Sequence, residues 1–350
     1  MEFLYEYGLF LLKAATVVVA LLLIIGGIAS AAGKNKPQNE GEIKVRHLSE
    51  ELKDTANQIK KELLPKEDFK KFEKIEKKEL KEKEKKQKRD KNKDLPSNKK
   101  RLFVLEFDGD MKASAVEHLR EEITTLLMIA EDNDQVLLKL ESGGGMVHSY
   151  GFAAAQLQRI KESGLKLTIA VDRVAASGGY MMACIGDKII ASPFAILGSI
   201  GVIAQIPNFN RLLRKHDIDF EQHTAGEYKR TLTLFGEVSD KGREKFKEEI
   251  EDTHGLFKGF VEHHRPAVDI NQVATGETWY GQQAIDNNLI DNIQTSDDFI
   301  MKYAQENDVY ALSYELKKPL AERLGIAASV VTDTLLSRFW SKKQLSELSQ

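Results

Sequence analysis

Cysteine is nearly absent from this chain, since Cys184 is the single one in 350 residues. One thiol excludes an intramolecular disulfide framework and any zinc site built from several cysteines. The chain also lacks a strong excess of either charge, because 51 basic and 54 acidic side chains leave a formal charge of −3. It is 42% hydrophobic and 30% charged, which excludes collagen-like, mucin-like and wholly disordered proteins.

The small net charge conceals two regions of opposite sign. Residues 34–100 contain 23 basic and 15 acidic side chains, a net charge of +8, whereas residues 101–350 have a net charge of −10. Lys and Glu dominate the first region, so we predict a solvated linker or stalk there, with a short amphipathic helix around Phe69, Phe72 and Ile75. A surface for anionic lipid or nucleic acid is the alternative. The interleaved glutamates and the lack of an aromatic stacking pattern argue against nucleic acid.

A long apolar run near the N-terminus predicts a membrane anchor. Residues 14–33 are 20 consecutive uncharged residues, and a helix of that length is about 30 Å long, the thickness of a bilayer core. A cleaved signal peptide is the alternative, because Ala29-Ser30-Ala31 resembles a cleavage site. Glu2 and Glu6 in place of a basic cluster argue against cleavage. The lysines and arginine that follow the run place the body in the cytoplasm by the positive-inside rule.

From Arg101 the composition becomes that of a folded α/β domain, which we assign to residues 101–318. Apolar strands alternate with helical patterns, an order typical of a parallel or mixed sheet with crossover helices. The predicted strands are 101–107, 136–140, 166–171 and short strands within 189–202. The predicted helices are 113–131, 146–160, a short one within 176–186, and 240–263. A further amphipathic helix is predicted at 319–350, where it packs on the domain, joins protomers or lies on the membrane.

Two glycine clusters each follow a predicted strand and open a helix. The first, Gly143-Gly144-Gly145, exposes backbone N–H groups that can bind phosphate or the oxyanion of an acyl-transfer intermediate. No Gly-Lys-Ser/Thr follows, so it is not a Walker loop. The second cluster contains Ser177, followed by Gly178 and Gly179. A serine at such a junction is placed as an exposed nucleophile with the Gly178 N–H beside it, or else caps the helix.

A nucleophilic serine needs a base, and the sequence offers two kinds. A Ser-His-Asp triad has six candidate histidines and nothing that singles one out; these are His148, His216, His223, His254, His263 and His264. Lys229 is the better candidate, but a lysine acts as a general base only when neutral, which requires desolvation or a neighbouring cation. Arg230 favours the neutral amine, and Glu227 opposes it if it comes close.

Taken together, these motifs resemble those of the signal peptide peptidase A (S49) family of serine peptidases. Ser177 and Lys229 stand 52 positions apart, with Gly143–Gly145 upstream. The stretches 198–202 (GSIGV) and 276–284 (GETWYGQQA) resemble the same family's other signatures. The resemblance covers essentially the whole chain. It departs at Gly143, where many members have proline.

The resemblance implies a fold related to the ββα repeats of the Clp protease and crotonase superfamily. It implies Ser177 as the nucleophile, Lys229 as its general base, and an oxyanion hole made by Gly178 with Gly145, or less favourably Gly144. The implied substrate groove is lined by four residues in one stretch: Gly198, Ser199, Ile200 and Gly201. No metal, nucleotide or other cofactor is implied.

The resemblance also bears on location and partners. It implies peptide or protein substrates in or near a bacterial inner membrane, a periplasmic catalytic domain, and a homo-oligomer of unknown size. Periplasmic placement conflicts with the positive-inside count. Two rival functions remain open: a catalytically silent membrane scaffold with a protease-like fold, and an acyl-CoA enzyme of the crotonase type, against which the anchor and the Ser–Lys pair argue.

Overall fold

The computed structural model describes residues 5–14, 16, 17, 20, 41–91 and 100–316. The chain divides into two compact units, one of residues 43–314 and one of residues 1–42 with 315–350. In the second unit, the described residues between 5 and 20 are helical. No helix within these described ranges has the length and hydropathy needed to cross a bilayer. Most of the predicted span and the whole predicted C-terminal helix, 319–350, lie outside the described residues.

The strands and helices alternate through the larger unit. The strands are β1 (Gly41–His47), β2 (Arg101–Gly109), β3 (Gln135–Ser142), β4 (Lys166–Val171), β5 (Val174–Ala176), β6 (Lys188–Ala191), β7 (Ile196–Gly198), β8 (Thr278–Tyr280), β9 (Asn292–Ile293) and β10 (Asp308–Leu316). The helices are α1 (Leu48–Leu63), α2 (Lys66–Lys91), α3 (Val116–Ile129), α4 (Val147–Glu162), α5 (Gly178–Ala183), α6 (Asn210–Lys215), α7 (Asp240–His264), α8 (Ile270–Val273), α9 (Gly281–Asp286) and α10 (Ser296–Tyr303).

The described strands form one mixed sheet in the order β1-β10-β2-β3-β4-β6-β9. Strand β2 is parallel to both β10 and β3, and β3 is parallel to β4. A short branch leaves this path, in which β5 pairs with β3 and β7, and β7 pairs antiparallel with β8. Because parallel strands need crossover connections, the intervening helices cover the sheet. The carboxyl ends of β3 and β5 therefore lie side by side, where Ser142 is in register with Ala175.

Both faces of the sheet are buried, and β2 shows how its sequence achieves this. Successive side chains of a strand point to opposite faces, so Phe103 and Leu105 enter the larger core with helices α3, α4 and α5. Leu102 and Val104 enter a smaller core with α10 on the other face. A strand covered on both sides reads as a continuous apolar run. That pattern is why the strand was recognisable as RLFVLEF.

The structure confirms the predicted mixed α/β architecture with a central sheet. The predicted strand 166–171 is β4, and the predicted helix 240–263 is α7 with one more residue. One element differs from expectation: β1 lies inside the predicted 34–100 linker and is an edge strand of the sheet. Ser49 on α1 is buried and accepts a hydrogen bond from the Val309 N–H at 3.1 Å. Part of the predicted linker therefore belongs to the folded body.

Candidate active site

Ser177 lies between the end of β5 and the start of α5, in a backbone conformation that side chains rarely adopt. Its φ is +52° and its ψ is −119°, a region occupied almost only by glycine, where other residues are strained by about 1–3 kcal/mol. Main-chain bonds hold it there, since its N–H donates to the Gly198 carbonyl at 2.8 Å and its carbonyl accepts from Met181 N–H at 3.0 Å. Its half-buried hydroxyl makes no hydrogen bond among the described residues.

Two buried glycines follow Ser177 and open α5. A Cβ on Gly178 would collide with the ring of Tyr150, and one on Gly179 would lie 2.5 Å from the Ser142 carbonyl oxygen. The absence of side chains therefore lets the start of α5 pack directly on α4 and β3. The first N–H groups of a helix have no intrahelical partner. The Gly178 N–H is one of these, next to the Ser177 hydroxyl.

The first glycine cluster meets the Ser177 turn through Gly144. Its φ is +86°, and a Cβ there would lie 2.7 Å from the Gly178 nitrogen and 2.8 Å from the Ser177 Cβ. The N–H of Gly144 donates to the Ser142 Oγ at 3.0 Å. The N–H of Gly145 has no hydrogen-bond acceptor among the described residues. Two main-chain donors, on Gly178 and Gly145, thus remain unpaired in the turns that surround Ser177.

The predicted groove segment 198–201 runs beside the serine. Gly198 (φ +91°) accepts from Ser177, and Ser199 (φ +49°) donates its N–H to the Glu277 carbonyl at 2.6 Å. The side chain of Ile200 is fully buried in the core. Its backbone carbonyl lies 3.3 Å from His254 Nε2. The buried side chain of Ile200 therefore anchors the segment and does not line a groove.

Lys229 lies in residues 202–238, which we call the arm. The arm is mostly exposed and closes on itself, since the Phe209 ring packs near Phe235 and the Asn210 side chain donates to the Phe235 carbonyl at 2.8 Å. The Lys229 side chain is exposed. Among the described residues, no hydrogen bond or ion pair joins it to Ser177. A single chain therefore does not bring the two predicted dyad residues into hydrogen-bonding contact.

The turn that carries Lys229 is fixed to α7. Glu227 forms an ion pair with Lys241, and the Tyr228 ring lies 5.7 Å from the ammonium groups of both Lys241 and Lys245. The carboxylate that would oppose a neutral Lys229 is therefore paired with another lysine. This pairing weakens one sequence-based objection to Lys229 as a base, whereas the desolvation that a neutral lysine requires is not met in a single chain.

The described residues assemble neither a Ser-His-Asp triad nor a metal site. No hydrogen bond connects any of the six candidate histidines to Ser177 within the described ranges. Across those same ranges, no group of three His, Cys, Asp or Glu side chains is arranged to hold a metal ion. Cys184 is fully buried, which raises the pKa of its thiol, so it is shielded from reaction.

Sequence reasoning missed a buried polar chain beneath the glycine turns. Tyr150 is fully buried on α4, where its helical phase marks it as a core residue. Its hydroxyl donates to the Asp110 carbonyl at 2.7 Å and contacts the Ser142 Oγ. A core tyrosine needs a partner for its hydroxyl, which is the signal that could have drawn attention to it. The partners themselves come from three separate segments and are visible only in the fold.

Comparison with known proteins gives consistent matches. Residues 159–310 match "Peptidase family S49", and residues 2–157 match "Peptidase family S49 N-terminal". The chain is 48% identical to "Probable protease SohB" of Haemophilus influenzae, with 98% of each chain covered. It is 50% identical to "Probable protease SohB" of Buchnera aphidicola subsp. Acyrthosiphon pisum, over 72% of this chain and 75% of that one.

Proposed function

We propose, from the premise that this chain belongs to peptidase family S49, that it is a membrane-anchored serine endopeptidase whose catalytic pair is Ser177 and Lys229. The family is one of serine peptidases. The observation that carries the assignment of the nucleophile is the strained conformation of Ser177. An unfavourable backbone geometry persists only where the surrounding structure enforces it, and such residues cluster at active sites. Here it presents an unbonded hydroxyl beside two unpaired main-chain donors.

The mechanism follows from these groups. The Ser177 Oγ attacks the scissile carbonyl while neutral Lys229 takes its proton. The Gly178 and Gly145 N–H groups bind the negative oxygen; the Gly144 N–H is less suited because it is bonded to Ser142. Lys229 then protonates the leaving amine, and water hydrolyses the acyl-enzyme. Gly198–Gly201 line the groove for a peptide or protein substrate, and no metal or cofactor takes part.

The exposed arm favours a dyad completed between copies of this chain. The arm leaves large apolar side chains in solvent, and Ile203 is 79% exposed; the others include Ile206, Phe209, Leu212, Ile218, Phe220, Leu234 and Phe235. Covering such a surface with a second copy removes apolar area from water. It would also desolvate Lys229, as a neutral amine requires. We therefore propose a homo-oligomer in which Lys229 reaches Ser177 of a neighbour.

Mixing two inactive variants tests this arrangement. Ser177→Ala and Lys229→Ala should each abolish hydrolysis of fluorescent casein by the full chain in detergent. If the pair forms between copies, an equal mixture allowed to exchange subunits regains up to about a quarter of the activity, because one site in four combines an intact serine with an intact lysine. No recovery despite exchange would reject the arrangement between copies.

Charge-preserving substitution tests the base itself. Lys229→Arg keeps the positive charge but cannot become neutral, so it should be as inactive as Lys229→Ala. Lys215→Ala, which removes another lysine from the arm, serves as the matched control and should retain activity. Labelling by a fluorophosphonate distinguishes a serine peptidase from the rival function, a silent scaffold. A silent scaffold would not label, and its biological activity would survive loss of Ser177.

We propose further that residues 14–33 anchor the chain in a bacterial inner membrane with the catalytic body in the periplasm. The apolar run supports the anchor, and the family supports the periplasm, whereas the lysine count after the run favours the cytoplasm. A reporter fused after residue 350 that is active in one compartment alone decides between the two sides. Activity in the cytoplasm would overturn the periplasmic assignment without affecting the dyad.

A further inference from the structure

We propose that Tyr150, acting through Ser142, is a positioning residue for the two main-chain donors of the oxyanion hole. This inference rests on the proposed function. It concerns neither the nucleophile nor its base but the buried support beneath the Gly144 and Gly178 turns. Three observations carry it: a connected set of hydrogen bonds, a direct packing contact, and the burial of the Ser142 and Tyr150 side chains.

Hydrogen bonds connect the glycine turn to the core through Ser142 and Tyr150. The Gly144 N–H donates to the Ser142 Oγ at 3.0 Å, and the Tyr150 hydroxyl donates to the Asp110 carbonyl at 2.7 Å. The Ser142 Oγ lies 2.5 Å from the Tyr150 hydroxyl oxygen, and 3.3 Å from the Gly109 carbonyl oxygen, which is a second acceptor for its single proton. Hydrogen bonds that share atoms in this way polarise and strengthen one another. Ser142 is 2% exposed and Tyr150 is fully buried, which limits the access of water to the two hydroxyl groups.

The phenol ring supports the second donor directly. A Cβ on Gly178 would lie 2.7 Å from the Tyr150 Cδ2, so the Gly178 backbone rests against the ring face. One side chain thus touches both halves of the site, with its ring under Gly178 and its hydroxyl linked to Gly144. Burial raises the pKa of Tyr150, which keeps the phenol protonated and able to donate.

The chain of bonds determines which N–H groups face the reaction. By holding the Gly144 N–H inward, Ser142 fixes that peptide, and the positive φ of Gly144 then sets the next peptide, which carries the Gly145 N–H. Without the bond, Gly144 is free to rotate because it has no side chain. Loss of one oxyanion donor lowers kcat by about 10²–10³-fold, and a misplaced donor loses part of that. The effect belongs to the transition state, so substrate binding should change little.

Tyr150→Phe is the sharpest test, because it keeps the ring under Gly178 and removes only the hydroxyl. With fluorescent casein and the full chain in detergent, we expect kcat to fall by roughly 10–100-fold with KM nearly unchanged. Ser142→Ala should give a similar loss, and the double variant should lose no more than the larger single loss, because both act in one chain. Fluorophosphonate labelling of Ser177 should slow in parallel.

Tyr180→Phe is the matched control. Tyr180 is also fully buried, and its hydroxyl donates to the Leu289 carbonyl at 2.9 Å, away from the glycine turns. Its loss should lower the melting temperature about as much as Tyr150→Phe but leave kcat within about twofold of the wild type. If Tyr150→Phe does not fold, Ser142→Ala carries the test alone.

The outcomes separate this inference from the proposed function. If Ser177→Ala still hydrolyses casein, the proposed function fails whatever Tyr150 does. If Ser177→Ala is inactive while folded Tyr150→Phe and Ser142→Ala both keep kcat within about twofold of the wild type, the positioning role alone is rejected. A rise in KM with an unchanged kcat would also reject it, because that pattern indicates ground-state binding.

Discussion

The strain at Ser177 predicts that a glycine there makes the protein more stable while removing its activity. Glycine adopts the observed φ of +52° and ψ of −119° without steric cost. The strain in a residue with a Cβ is worth about 1–3 kcal/mol. Glycine also costs about 0.4–1 kcal/mol through the greater entropy of the unfolded chain. The expected net gain in the free energy of unfolding is therefore about 0–2.6 kcal/mol, with a midpoint of about 1.3 kcal/mol.

Comparison with Ser177→Ala isolates the backbone contribution. Alanine keeps the Cβ and the strain, and it removes no hydrogen bond to any residue that the structure describes. We expect Ser177→Gly to exceed Ser177→Ala in free energy of unfolding and in melting temperature, by about 2–4 °C for each kcal/mol. Both variants should be inactive.

Urea and thermal unfolding of the full chain in detergent measure the difference. Ala155→Gly is the control, because Ala155 is exposed in the interior of α4 and glycine there should be destabilising by up to about 1 kcal/mol. If Ser177→Gly is no more stable than Ser177→Ala while the control behaves as expected, Ser177 is not strained. The conformational argument for its role would then be refuted.

Two further predictions concern other positions. Glu122 is 5% exposed and accepts the Tyr314 N–H at 2.7 Å, and burial raises its pKa from 4.5 to about 7. The folded chain therefore keeps a proton that the unfolded chain loses, so the free energy of unfolding falls by about 3 kcal/mol as pH rises from about 4.5 to 7. Glu122→Gln should remove this pH dependence when unfolding is measured across that range. Gly144→Ala should abolish casein hydrolysis because its Cβ would press on the Gly178 nitrogen. Gly143→Ala is the control and should be tolerated, because no atom lies within 4 Å of the added Cβ. Equal activity of the two variants would contradict the close approach of the two glycine turns.

Sequence-based prediction succeeded for elements whose burial is reflected in neighbouring residues of the chain. Strands β2 and β4 are buried on both faces, so each is a run of consecutive, mostly apolar residues. The strand-to-helix junction at Ser177 was also recognisable, because two glycines follow a predicted strand there. Its positive φ agrees with the expected junction. The roles of Ser177 and Lys229 stay predictions, since no structural contact joins them.

Elements that depend on distant partners were not recognisable. Strand β1 lies in a region rich in Lys and Glu, most of its residues are exposed, and its neighbour β10 comes more than 260 positions later. Ile43 and Val45 alternate with charged residues, which is the period of a strand, but the run is short and the Lys- and Glu-rich surroundings led us to assign it to the linker. The support of Gly144 was hidden for the same reason, because Ser142, Tyr150 and Asp110 are ordinary residues until the fold brings them together.

The position of β10 in the sheet has a consequence for how the protein is made. This strand lies between β1 and β2, yet the ribosome produces it about 200 residues after β2, a delay of roughly 10–40 s at ordinary rates of synthesis. Throughout that interval β2 has one open edge, which is a template for pairing with another nascent chain. The open edge of β2 therefore needs protection from pairing with other nascent chains, for example by a chaperone, until β10 is made and pairs with it.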